Sequence, residues 1–242
     1  MVLMGAALLA LAVAGAVRAA RDWPLWRALR RVRPATPQRL ARAARDGHLD
    51  GRIVAVSGLA AAGADGPLAS TVNDAPCVWH RHIVHRRQMR GYGRGRRVAD
   101  RTSTEAFVLQ PALARVGAGG GAIDGFPVEV RPAHMRVDGP APGGVRVLPG
   151  LASDPIPLIQ GGLVYRHREW LLPAGASLFI LGELASAAAG PALARPRRGP
   201  HIISTRTHAS LRRRLAVSAV GGVLVATVAG LTGALQLGVH YL

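Results

Sequence analysis

The sequence contains no lysine, a single cysteine and few aromatic residues, which make up 4% of its 242 positions. An internal disulfide framework and a closed zinc site of four cysteines are therefore excluded, because Cys77 stands alone. All 31 basic residues are Arg, against 13 acidic residues, and the formal net charge is +18. Arg, Ala, Gly and Pro have GC-rich codons, so we attribute part of this charge to a GC-rich bacterial genome. The charge alone is thus a weak indication of a nucleic-acid partner.

Two long uncharged runs lie near the ends of the chain. VLMGAALLALAVAGAV covers residues 2–17, and LAVSAVGGVLVATVAGLTGAL covers residues 215–235. A helix needs about 20 apolar residues to cross a bilayer, so the second run predicts a membrane span and the first lies near the lower limit. A cleaved signal peptide is the alternative for the first run. Since no basic residue precedes that run, we expect an uncleaved span.

Arginine is concentrated on the inner side of both runs. The membrane-flanking arginines of interest are Arg18, Arg21, Arg212, Arg213 and Arg214. Basic residues resist translocation, so the positive-inside rule predicts that residues 18–214 face the cytoplasm and both termini face outwards. We therefore expect a multi-pass protein of the inner membrane with two spans, although a connecting segment of this length can also be translocated despite its charges.

The first predicted span is followed by two predicted short helices rich in arginine. Asp22 is the candidate N-cap of the first helix; Thr36, with Pro37 after it, is that of the second, which Gly47 would end. A position at the membrane surface and a simply solvated helix both fit this pattern. The predicted organisation is a first span at 1–17, basic juxtamembrane helices at 18–47, a β-rich domain at 48–184, a Pro- and Arg-rich linker at 185–214 and a second span at 215–239.

From Gly51 onwards the sequence consists of short β-type runs separated by Gly and Pro. These runs are RIVAVSG, CVWHRHIVHRR, EAFVL, GFPVEVRP, VRVLPG, GLVYRHREWLL and SLFILGEL. Strands of this length with turn signals between them predict an antiparallel sandwich or barrel. The expected fold class is therefore mainly β, with the β-rich domain between two transmembrane α-helices and with short N-terminal juxtamembrane helices.

Several of these segments occur in the order typical of one known family. They are DGRIVAVSGLA (50–60), PCVWHRHIVHRR (76–87), FVL (107–109), YRHREWLLPAGASLFILGE (165–183) and IISTRTHASLRRRL (202–215). Together they resemble the GIDE or "beside a membrane" domain, which mitochondria-anchored RING ubiquitin ligases share with bacterial and archaeal relatives. The resemblance covers most of residues 48–215. It implies structural roles for Gly58, Pro76, Cys77, Val78, Glu169, Pro173, Gly175 and Gly182.

In eukaryotic members of that family, a RING follows the second span and carries the ligase activity. A RING holds two zinc ions through about eight Cys and His ligands, which a chain with one cysteine that stops at Leu242 does not supply. We therefore expect a bacterial-type member without a RING, with no catalytic residue and no cofactor, that recognises or organises other molecules at the membrane surface. Ubiquitin transfer, as the family name implies, is the enzymatic alternative. Binding of anionic lipid or nucleic acid through the arginine clusters is the second alternative.

The expected partners are the lipid bilayer and an unidentified membrane or cytoplasmic protein. A nucleic acid is not expected, and the oligomeric state is left open. RGYGRGRR (90–97) resembles short Arg-Gly tracts that bind RNA, but a single tract of this kind is typical of a solvated loop. GAGGGA (117–122) is followed by a predicted strand instead of a helix, so we interpret it as a hairpin tip and not as a dinucleotide site.

The most suggestive cluster of metal-binding residue types is Cys77, His80, His82 and His85. On a strand, His80 and His82 share one face, whereas Cys77 and His85 belong to the other. These four residues are therefore weak metal candidates. We expect Cys77 and Val78 to lie in the core and the histidines to lie on a wetter face.

Glu169 is the carboxylate most suggestive of acid–base chemistry, because it precedes the apolar run WLLPAGASLFILG. A structural role is the simpler interpretation. We expect Glu169 to accept hydrogen bonds from the backbone of the turn at 173–175, or to pair with Arg166 or Arg168.

Overall fold

The computed structural model describes residues 2–45, 51–88, 95–111, 127–149, 163–187 and 190–241. The helices are α1 (Val2–Arg31), α2 (Pro37–Arg45) and α3 (His208–Tyr241). The strands are β1 (Ile53–Ala61), β2 (Leu68–Ala69), β3 (Pro76–Gln88), β4 (Arg96–Thr102), β5 (Phe107–Gln110), β6 (Val128–Val130), β7 (Val137–Asp138), β8 (Ala141–Pro149), β9 (Leu163–Pro173), β10 (Ser177–Ala187), β11 (Gly190–Ala194) and β12 (Ile202–Ser204).

Five strands close into a barrel in the order β1, β5, β6, β11 and β10, because β10 pairs again with β1. Strand β12 extends the sheet from β10, and β7 extends it from β12. All of these pairings are antiparallel except β6 with β11 and β7 with β12. The predicted β-rich fold between two long apolar helices is thus confirmed, in its barrel form.

The sequence of strand β10 is a continuous apolar run instead of an alternating one, and its position in the fold explains this. Leu178, Ile180 and Leu184 belong to the barrel core. Phe179 and Leu181 belong to a second apolar cluster, which contains residues of α1 and α3. Because both faces of β10 are covered, neither face needs polar residues.

A second sheet, which we call the outer sheet, consists of β2, β3, β4, β8 and β9. Strand β3 is its longest member and pairs with β9 along most of its length, with β2 and β4 on its other edge. Strand β8 completes the sheet beside β9. Trp79 of β3 and Leu172 of β9 belong to the barrel core cluster, so the outer sheet packs on the barrel at this end.

Helices α1 and α3 pack against each other in antiparallel orientation. A Cβ atom added to Gly222 would lie 2.7 Å from the carbonyl oxygen of Gly15, and Gly233 similarly faces Gly5. Small residues therefore let the two backbones approach closely. Ala219 and Ala229 are also buried.

The structure corrects the predicted N-terminal helices. Helix α1 runs unbroken from Val2 to Arg31, so the first predicted juxtamembrane helix is a continuation of α1, and the prediction that Asp22 caps a new helix is wrong. Leu25 and Leu29 are buried against the barrel, and this packing keeps the segment helical although Pro24 lacks a backbone N–H. The second predicted helix is α2.

The cap of α2 is as predicted, since Thr36 Oγ1 accepts a hydrogen bond of 3.4 Å from the backbone N–H of Arg39. The predicted stop at Gly47, residues 90–94 of the Arg-Gly tract and the glycine-rich residues 117–122 lie outside the described residues. Arg96 and Arg97 of the same tract lie in β4, so the prediction of a loop at 90–97 is wrong for these two residues.

The prediction of a linker at 185–214 is wrong. This segment contains the end of β10, all of β11 and β12, and the beginning of α3. Ala192 and Leu193 are fully buried, and β11 closes the barrel between β10 and β6. Small residues are needed here because the strands approach closely: a Cβ atom on Gly182 would lie 2.9 Å from the carbonyl oxygen of Ala194. The same composition is typical of linkers, which explains the error.

Candidate functional site

The inner ends of α1 and α3 are fixed to the outside of the barrel by an apolar cluster. Its buried members are Leu25 and Leu29 of α1, Leu211 and Leu215 of α3, Ala55, Phe179 and Leu181 of the barrel strands, and Ile202 of β12. His208, the first residue of α3, donates a hydrogen bond from Nε2 to the carbonyl oxygen of Leu29 (2.9 Å). The helices are therefore docked on the barrel and are not flexible tethers.

A buried carboxylate links the two helices to the barrel beside this cluster. Asp22 of α1 is 7% exposed. Its Oδ2 accepts a hydrogen bond from Ser218 Oγ of α3 (2.7 Å), and its Oδ1 accepts one from a guanidinium nitrogen of Arg136 (3.3 Å). Arg18 Nε in turn donates to Ser218 Oγ (2.8 Å). Three segments that are distant in sequence thus meet at Asp22.

A second carboxylate, Asp138 at the end of β7, orders two more arginines. Arg214 of α3 lies 2.6 Å from Asp138 Oδ1, and Arg206 lies 3.3 Å from Oδ2. Ser204 Oγ also donates to Oδ2 (3.3 Å). Asp22 and Asp138 therefore hold several arginine side chains in place around the bases of both helices.

Two adjoining cavities open at this junction. The first, which we call the junction cavity, has a volume of about 490 Å³. Its charged lining residues are Arg18, Arg21, Asp22, Arg136, Asp138 and Arg214. The second, the flanking cavity, has a volume of about 400 Å³. It shares Arg18, Arg214 and Ser218 with the first cavity and adds Arg206, Arg213, Ser210 and Val217.

The structure brings together four of the five predicted membrane-flanking arginines at these cavities, namely Arg18, Arg21, Arg213 and Arg214. Arg212 is exposed and lines neither cavity. Sequence reasoning missed Arg136 and Asp138. They lie more than 100 residues from α1, and only the pairing of β7 with β12 brings them beside the helices. No local pattern in the sequence indicates this.

Glu169, the predicted buried carboxylate, lies in the outer sheet and is 2% exposed. It accepts hydrogen bonds from Ser70 Oγ and from the backbone N–H groups of Thr71 (3.0 Å) and Val72 (3.2 Å). Burial raises the pKa of the Glu169 carboxyl, but these hydrogen bonds outweigh burial and bring the pKa below its ordinary value. Glu169 is therefore a charged group held by one turn.

The predicted partners of Glu169 were wrong. Its carboxylate binds the turn between β2 and β3, and neither Arg166 nor Arg168 pairs with it. The turn at 173–175 bonds elsewhere, because the N–H of Gly175 donates to the carbonyl oxygen of Ala60 (2.7 Å). The backbone donors were expected in the wrong loop, since strand pairing decides which turn lies beside Glu169.

The Cys and His candidates are distributed through β3 as follows. Cys77 and Val78 are buried, as predicted. His82 is only 9% exposed, so the prediction of a wetter face is wrong for this residue. A bulge between Cys77 and Trp79 shifts the alternation of the strand. His82 instead contacts His167 of β9, with Nε2 and Nδ1 3.0 Å apart.

The environment of these groups favours their neutral forms. Burial and the neighbouring His167 lower the pKa of His82. Burial and the negative charge of Glu169 raise the pKa of the Cys77 thiol. Among the residues that the structure describes, no group of three or more His, Cys, Asp or Glu side chains is placed to hold a metal ion.

The remaining residues of the expected family motif lie at close approaches and turns. A Cβ atom on Gly58 would lie 2.6 Å from the carbonyl oxygen of Gln110 in the neighbouring strand β5. Gly175, with φ +80°, follows exposed Pro173 in the turn before β10. Pro76 begins β3 and pairs with Ala69. Each position is thus explained by backbone geometry.

Comparison with known families identifies the C-terminal half. The family model of GIDE, described as E3 Ubiquitin ligase, matches residues 127–238. This stretch runs from β6 into α3 and includes the junction residues Arg136, Asp138, Arg206 and Arg214. The similar segments at 50–60 and 76–87 lie outside it. No curated protein and no solved structure matches the chain. The match places this part of the chain, residues 127–238, in the GIDE family.

Proposed function

We propose that this protein is anchored in the inner membrane by α1 and α3 and holds its barrel at the cytoplasmic face. There it recognises or organises other molecules without catalysing a reaction. The observation that carries this proposal is the docking of both apolar helices, side by side, on one face of the barrel.

The dimensions of the helices support two spans. Helix α1 has 30 residues and α3 has 34, so they extend about 45 Å and about 50 Å, against about 30 Å of hydrocarbon in a bilayer. The excess at the inner ends corresponds to the charged turns that pack on the barrel. The antiparallel pair of α1 and α3 therefore provides both the spanning length and the surface that docks on the barrel.

The surfaces of the helices also fit a lipid environment. Only 22% of the apolar window of each helix is buried within the protein. Val13, Val220 and Leu235 are 63%, 47% and 70% exposed. In water such continuous exposure of apolar surface is unfavourable, whereas in a bilayer it is the expected state of a span. The core helix of a soluble protein would be largely covered.

The arginines support the cytoplasmic orientation. Four of the arginines that line the junction and flanking cavities lie at the inner ends of the two helices, where the positive-inside rule counts them most; they are Arg18, Arg21, Arg213 and Arg214. Both termini would then face the outer side of the membrane.

Ubiquitin transfer is the second candidate function, because the matched family carries the description E3 Ubiquitin ligase. We rank it second because the described residues offer neither route to transfer: no group of Cys and His side chains is placed to hold the zinc ions of a RING, and Cys77 is fully buried with a raised pKa and is poorly suited to form a thioester. Incubation of the full chain with ubiquitin, an activating enzyme and conjugating enzymes tests this candidate. Formation of ubiquitin conjugates that requires the chain would establish transfer and contradict a non-catalytic role.

Labelling with a membrane-impermeant maleimide tests the anchored arrangement. Because Cys77 is buried, the experiment needs a new cysteine at an exposed site: Asp65→Cys, in a Cys77→Ser background. We expect this variant to stay in the membrane pellet after carbonate extraction and to be labelled in inverted vesicles but not in intact spheroplasts. Recovery of the chain in the carbonate supernatant would contradict the anchor. Labelling in intact spheroplasts would contradict the orientation alone.

A further inference from the structure

We propose that the junction cavity and the flanking cavity together bind the phosphate headgroup of an anionic phospholipid. This inference rests on the proposed function, since it requires the two helices to lie in a membrane. It adds a specific ligand site to that function.

The two cavities carry an excess of positive charge. Their lining contains six arginines (Arg18, Arg21, Arg136, Arg206, Arg213 and Arg214) and two carboxylates (Asp22 and Asp138). Arg136 pairs with Asp22, and Arg206 and Arg214 pair with Asp138. Among the described residues, no carboxylate pairs with Arg18, Arg21 or Arg213. The site therefore carries an uncompensated positive charge that suits a phosphate.

Two arginine side chains of the site are already held in place by hydrogen bonds. Ser218 fixes Arg18 at 2.8 Å, and Asp138 fixes Arg214 at 2.6 Å. Long side chains lose conformational freedom when they bind a ligand, and part of that loss has already occurred here. The two aspartates thus hold guanidinium groups in position while the surplus arginines supply the charge.

The apolar part of the cavity lining favours a lipid over a soluble anion. The junction cavity is also lined by Ala14 and Val17 of α1, and the flanking cavity by Val217 of α3. Val17 is 62% exposed and Val217 is 67% exposed. These residues mark the point where the charged turns give way to the apolar helix surface. A ligand in this position meets guanidinium groups at one end and an apolar surface at the other, as a phospholipid requires.

Native mass spectrometry of the detergent-solubilised full chain tests this proposal. The probes are dioleoyl-phosphatidylglycerol and, as the zwitterionic comparison without net charge, dioleoyl-phosphatidylcholine. The site variant is Arg21→Gln with Arg213→Gln. The control variant is Arg96→Gln with Arg146→Gln, two exposed arginines of β4 and β8 that line neither cavity and remove the same charge.

We expect the unaltered chain and the control to prefer phosphatidylglycerol, and the site variant to bind it about 30-fold more weakly, at about 1 kcal/mol per arginine. Equal binding of both lipids by the unaltered chain would overturn the proposal. Equal losses in the site variant and the control would also overturn it, because the attraction would then be diffuse.

A second arm of the experiment distinguishes the source of the phosphate. Inorganic phosphate is added at the ionic strength of a chloride control. We expect it not to displace phosphatidylglycerol, because it cannot contact the apolar surface. Displacement would identify a site for soluble phosphate and overturn the lipid assignment. Any of these failures leaves carbonate extraction unchanged, so a failure here is distinguishable from a failure of the membrane anchor.

Discussion

Asp22 at the helix junction and Glu169 in the outer sheet are both buried carboxylates, but they are held in different ways. The hydrogen bonds of Glu169 come from residues 70–72, which form a single turn. Those of Asp22 come from Ser218 and Arg136, which belong to two other parts of the chain. The first arrangement fixes a loop, and the second fixes the direction of the helices relative to the barrel.

The surroundings of the two carboxylates also differ: one is enclosed within a sheet, and the other lines an open cavity. Glu169 lies among strands, next to His82 across the β3–β9 pair. Asp22 lines a cavity that also contains several arginines and adjoins the apolar helix surface. The outer sheet therefore uses its buried charge for internal order, whereas the junction combines order with a surface open to a ligand. The following predictions test that contrast, from the largest expected effect to the smallest.

Two buried phenylalanines allow the helix junction and the barrel core to be tested separately. Phe179 belongs to the apolar cluster that docks α1 and α3 on the barrel, and Phe107 belongs to the barrel core. We expect Phe179→Ala and Phe107→Ala each to lower the free energy of unfolding by about 4 kcal/mol, because each removes a buried ring. Only Phe179→Ala should increase hydrogen exchange in the inner turns of α1 and α3 under native conditions. Equal exchange in the two variants would contradict a separate docking cluster.

Glu169→Ala should destabilise the outer sheet. The change leaves Ser70 and two backbone N–H groups without their acceptor, so we expect a loss of about 3 kcal/mol in the free energy of unfolding. Glu129→Ala is the matched control, because Glu129 is partly exposed and pairs with exposed Arg131; its cost should be about 0.5 kcal/mol. Comparable denaturation midpoints for the two variants would show that Glu169 is not a structural centre.

Gly222 and Gly221 form a matched pair for the contact between the helices. A Cβ atom on Gly222 would meet the carbonyl oxygen of Gly15 at 2.7 Å, whereas a Cβ atom on Gly221 would meet nothing within 4 Å. We expect Gly222→Ala to destabilise the chain by about 2 kcal/mol through overpacking, and Gly221→Ala to be neutral or slightly stabilising. Thermal unfolding in detergent measures both effects. A neutral Gly222→Ala would mean that α1 and α3 do not approach closely.

Acidification should weaken the outer sheet in two stages. The pKa of His82 is lowered from 6.5, so its stabilising contribution is complete above pH 6.5 and is lost as the pH falls through the lower, folded value. The pKa of Glu169 is lowered from 4.5, so its contribution is complete above pH 4.5 and is lost below it in the same way. Denaturant midpoints against pH should lose the upper stage in His82→Asn and the lower stage in Glu169→Gln. Unchanged profiles would contradict these assignments.

Much of the fold could be predicted from local patterns. The two long uncharged runs predicted α1 and α3. The short apolar runs predicted β1, β3, β5, β6, β8, β9 and β10. The prediction of a linker was wrong because Ala192 and Leu193 lie in β11. That strand is buried through its pairing with β10 and with β6, which is distant in the sequence. The prediction of a helix break at Asp22 was wrong for a related reason. Local helix propensity contains no information on the barrel that covers Leu25 and Leu29.

Only some residues of the candidate site could be predicted from the sequence. The charge asymmetry around the two apolar runs identified Arg18, Arg21, Arg213 and Arg214. Arg136 and Asp138 reach the site through the parallel pairing of β7 with β12, which no spacing in the sequence predicts. The family resemblance located Glu169, but the turn that binds it follows from the placement of β2 beside β3.

We propose that α1 and α3 cross a bilayer and hold the barrel at its surface. A nitroxide at Val220→Cys, in a Cys77→Ser background of the full chain reconstituted in bilayers, measures this directly, because Val220 is 47% exposed on the apolar part of α3. We predict that oxygen relaxes this label strongly and that a water-soluble nickel chelate does not. Strong relaxation by the nickel chelate and weak relaxation by oxygen would contradict the account.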